Sequence, residues 1–118
     1  MAVVVLKERS SDYHACLDGD LTRWECGPRP CDAVGALIVS YARDILGISD
    51  EGKAREQILK EVSDNLPPIA LPDGFEDVAE SFEAQRRSPN FEPSVEQIGL
   101  VVLSGRLSSI TVFWDNAE

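Results

Sequence analysis

The chain has 118 residues, 11 Lys plus Arg against 21 Asp plus Glu, a formal net charge of −10, and 43% hydrophobic residues. This length supports one core and not comfortably two, since a domain below about 60 residues is marginal, and the composition is globular rather than disordered. The acidity argues against a phosphate-neutralising surface, because non-specific nucleic-acid affinity comes from clustered Lys and Arg, and the longest basic run here is Arg86-Arg87.

Val3 to Lys7 is β-branched and bounded by polar residues, which predicts a first strand. Tyr13 to Leu17 predicts a second, ended by the turn residues Asp18-Gly19-Asp20. Arg23-Trp24-Glu25-Cys26 alternates polar and apolar side chains, the period of a half-buried third strand. The short connections predict antiparallel hairpins, since a parallel return needs a long crossover. Pro30 suits the first position of a helix and Asp32 its first turn, where a carboxylate meets the positive end of the macrodipole. Val34, Leu37, Ile38, Tyr41, Ile45 and Leu46 then recur at helical spacing up to Gly47.

A second helix is predicted over 51–66, with Ile58, Leu59 and Val62 on one face and Pro67-Pro68 as its stop. Residues 69–74 read as an extended connector, and 75–87 as a third helix with Phe75, Val78, Ala79 and Phe82 inward. The last segment has two readings. Ser94 and Gln97 have capping-box spacing and would start a helix through Ile98, Val102 and Leu103. The β-branched runs 98–103 and 107–114 around Ser104-Gly105-Arg106 instead read as a hairpin, which is favoured because Ile110-Thr111-Val112-Phe113-Trp114 is a poor helix and a good strand. The expected fold is therefore α+β in a single domain: an antiparallel sheet against a main amphipathic helix, further helices over 49–93, and a C-terminal β-hairpin within 94–115.

The succession of three strands, then Gly27, Pro30, Asp32 and Ala33, then an amphipathic helix resembles the N-terminal module of HicB-like antitoxins over residues 2–48. In that family a glycine leaves the third strand, a Thr-Pro pair starts the helix, and an acidic residue followed by alanine occupies its first turn. Arg29 stands here in place of the threonine. The resemblance implies a β-β-β-α unit of partial RNase H-like fold without catalytic carboxylates, which binds and neutralises a small toxin. Many relatives add a ribbon-helix-helix or helix-turn-helix segment. Residues 49–118 show neither pattern, and they carry 6 basic and 13 acidic side chains against 5 and 8 in residues 1–50.

Candidate chemistry is sparse. His14, Cys16 and Cys26 lie on neighbouring strands and Cys31 just beyond, so a tetrahedral zinc is conceivable, but neither C-x4-C nor H-x-C is a common zinc spacing. Buried small hydrophobes are the more economical account of Cys16 and Cys26. Cys31, in a first helical turn beside Arg29, has the setting of a lowered thiol pKa, with His14 as the sole histidine to serve as base. No third residue stands out as an orienter, and an incidental thiol explains Cys31 more simply. The acidic pairs Asp18/Asp20 and Glu76/Asp77 lack the later ligands of an EF-hand loop. No P-loop, nucleophile-elbow or H-E-x-x-H motif occurs. Three cysteines make a disulfide framework improbable in favour of reduced thiols, and no run approaches the roughly 18 apolar residues of a membrane span.

The expectation is a non-enzymatic, cytoplasmic, HicB-like binding module without cofactor or metal. It would neutralise a protein partner, and its acidic half suits a basic one. The contacting candidates are Glu56, Glu61, Asp64, Glu76, Asp77, Glu80 and Trp114, with Trp114 also marking an edge for homodimerisation. Trp24, Tyr41, Phe82 and Phe113 are expected in the core. The alternative is a phage-type anti-defence protein, either an acidic nucleic-acid mimic or a sponge for a nucleotide signal that uses Arg29, Arg43, Arg86, Arg87 and Arg106.

Overall fold

The alternation of Ala2, Val4 and Leu6 with Val3 and Val5 places the first set in the core and the second on the opposite face of strand β1, Ala2–Glu8. The computed structural model of the chain describes residues 2–66, 74, 84 and 92–115. Strand β2, Tyr13–Leu17, runs antiparallel to β1 in the register Val4 to Leu17 and Leu6 to Ala15. Asp18 and Gly19 both have positive φ, 54° and 77°, the backbone that a two-residue hairpin turn demands and that Asp-Gly supplies most readily. The chain then returns as β3, Asp20–Gly27, antiparallel to β2 with an irregularity at Cys16/Leu17.

Gly27 leaves β3 beneath the next helix, where a Cβ would sit 2.7 Å from the Asp32 Cβ and 2.8 Å from the Ala33 nitrogen. Helix α1, Pro30–Ser40, starts with its proline in the first turn and buries Ala33, Val34, Leu37 and Ile38 against the sheet. The helical periodicity predicted up to Gly47 is interrupted at Tyr41 (φ −122°, ψ 27°), and a short helix α2, Ala42–Leu46, completes it. Gly47 ends α2 with φ 69°. Helix α3, Glu51–Asp64, is capped by the Asp50 carboxylate, which accepts from the Lys53 N–H at 3.1 Å, and turns Ala54, Ile58 and Val62 inward. The predicted connector and third helix, with Phe82, lie outside the described residues.

The C-terminal segment corrects the favoured hairpin. Residues Val95–Leu103 form helix α4, started by a complete capping box: Ser94 Oγ accepts from the Gln97 N–H (3.2 Å) and Gln97 Oε1 from the Ser94 N–H (2.8 Å). Its β-branched residues Ile98, Val101 and Val102 are buried against the common core, so tertiary packing outweighs their strand propensity. Only the second run is a strand. Strand β4, Ile110–Trp114, pairs parallel to β1, giving a mixed four-stranded sheet in the order β3-β2-β1-β4. The intervening helices supply the crossover that a parallel return requires. The α+β architecture expected from the sequence is present, with one parallel pair in a sheet predicted to be antiparallel. Among the described residues, no helix is long and apolar enough to cross a membrane.

The helices and the inward-facing residues of β1, β2 and β4 share one apolar cluster, from Ala2, Leu6 and Leu17 through Leu37, Ile58 and Val102 to Ile110. The residues alternating with these, including Val5, His14, Trp24 and Phe113, project from the other face of the sheet.

Candidate protein-binding surface

Helix α3 carries the described part of the acidic candidate set. With about 100° of turn per residue, Glu61 lies at the margin of the buried face of Ala54, Ile58 and Val62, Asp64 follows on the same flank, and Glu56 points away from the core. Glu56 and Asp64 are exposed, as are Lys53 and Lys60, which interrupt the carboxylates. Glu61 is half-buried: its Oε1 accepts from the Gln57 side chain at 3.2 Å, while its Oε2 is buried without a hydrogen-bond partner. A buried carboxylate oxygen left unmatched is costly, and its burial also closes it to a donor brought by another molecule. Glu76, Asp77 and Glu80 lie outside the described residues.

The cations proposed for a nucleotide ligand are not presented together by the described chain. Arg29 is committed to two carboxylates, with Nε 2.9 Å from Asp32 and Nη1 3.1 Å from Glu96. These bonds, first to Asp32 and then to Glu96, hold its pKa above the usual arginine value. Arg29 thus contributes no side-chain cap where the HicB-like pattern has threonine, and instead links the starts of α1 and α4. Arg43 and Arg106 are exposed, on α2 and after α4, and Arg86 and Arg87 lie outside the described residues.

The sulfur and imidazole candidates are divided between the two faces of the sheet. His14 and Cys26 are cross-strand neighbours, and Cys16 is one pair along the same outer face. Cys31 is buried on the helix side, where its carbonyl backs onto Gly99 of α4. The nucleophile-and-base pairing of Cys31 with His14 is therefore not assembled. Among the described residues no group of three or more His, Cys, Asp or Glu side chains is arranged to hold a metal. His14 stacks on Trp24, ring centroids 5.2 Å apart, and burial, with Arg9 and Lys7 nearby, lowers its pKa. Burial raises the pKa of the Cys16 thiol. The turn acids are engaged internally: Asp18 accepts from the Val3 N–H at 2.9 Å, and Asp20 accepts from the Thr22 N–H at 2.9 Å and from Arg23.

The aromatic residues depart furthest from expectation. Trp24 (43% exposed) and Phe113 (59%) are not core residues but stand on the outer face of the sheet, at opposite ends of the cross-strand row Trp24, Cys16, Val5, Phe113. Trp114 is half-exposed as predicted, yet it shares the inward parity of Leu6 and packs edge-on against Tyr13, centroids 6.4 Å apart. The missed residue is Phe113. Strand alternation from the buried Ile110 assigns it to the outer face, a signal already present in the sequence.

No protein-family model, curated protein or solved structure matches this chain.

Proposed function

We propose that the protein is a non-enzymatic, HicB-like binding module of the cytoplasm that occupies and neutralises a basic protein partner such as a small toxin, without contacting nucleic acid. The observation that carries this reading is the pair of exposed carboxylates Glu56 and Asp64 on α3. An Arg or Lys from a basic partner gains a charge-assisted bond at these carboxylates. The strand-strand-strand-helix order, with Gly27 closely overlaid by Asp32 and Ala33, supports the resemblance that suggests an antitoxin-like role. Acidic surroundings speed encounter with such a partner and disfavour acidic competitors.

The test is co-expression with the product of the adjacent gene, then affinity purification and calorimetry. Retention of a small basic protein, weakened at least about tenfold by Glu56→Lys with Asp64→Lys, is the expected result. If no such protein is retained at low salt, or if the double charge reversal leaves affinity unchanged, the reading fails.

A further inference from the structure

We draw no further inference here: the strongest candidate, the outer face of the sheet on which the rings of Trp24 and Phe113 stand exposed, carries nothing because nothing in the structure shows what covers it.

Discussion

Gly35 and Gly99 occupy the crossing of α1 and α4, where a Cβ on Gly35 would enter the Val95 carbonyl and one on Gly99 the Cys31 carbonyl. The obstacle in each case is backbone, which cannot rotate away. Glycine costs roughly 1 kcal/mol of helix propensity at such a position, and close approach of the helices offsets it. Gly99→Ala should therefore destabilise the fold by about 1–3 kcal/mol in urea denaturation, the usual cost of overpacking. Gly52→Ala in α3 should have the opposite sign, a gain of roughly 0.5 kcal/mol, because its Cβ meets only the Asp50 carboxylate at 3.4 Å. Both glycines interrupt helical patterns alike in the sequence. Only the crossing tells them apart.

Among the elements, α4 is the one where local signals conflict. Ser94 and Gln97 specify a helix start, and the β-branched run through Val101 and Val102 favours a strand. The capping box satisfies orphan N–H groups that a strand would have to pair elsewhere. Ser94→Ala should lower stability by about 1 kcal/mol on thermal or chemical unfolding. Arg29→Ala should have a smaller effect, since its pairs with Asp32 and Glu96 are solvent-exposed. By contrast, β1, β2 and the start of α1 were legible residue by residue, because alternation, the Asp-Gly turn and Pro30 all point to the same local structure.

For the whole molecule, pH acts through two separate windows. The pKa of His14 is lowered by burial, so its contribution to stability is present above the unfolded value near 6.5 and is lost as pH falls below it. Asp12, bonded to Arg9, and Asp20, bonded to Thr22, also have lowered pKa values, so their contributions persist down to the ordinary 3.8 and are lost below it. Stability measured by denaturant titration should fall between pH 7 and 5 in wild type. The fall should be shallower in His14→Gln, with the acid limb below pH 4 unchanged; equal slopes above pH 5 would show that His14 contributes nothing. Exposed acids of α3 lie on the helix side, while the outer face of the sheet carries the exposed rings of Trp24 and Phe113.

The sequence by itself determined the elements with self-consistent local codes, and through them the α+β class. Side-chain period and turn chemistry act over a few residues, so they can be read without the fold. The tertiary structure alone decided that 95–103 is helical, that β4 joins β1 in parallel, and that Arg29 bridges two helix starts. It also decided that Cys31 and His14 stand on opposite faces of the sheet. Each of those depends on contacts between segments distant in the chain, where packing energy outweighs local preference.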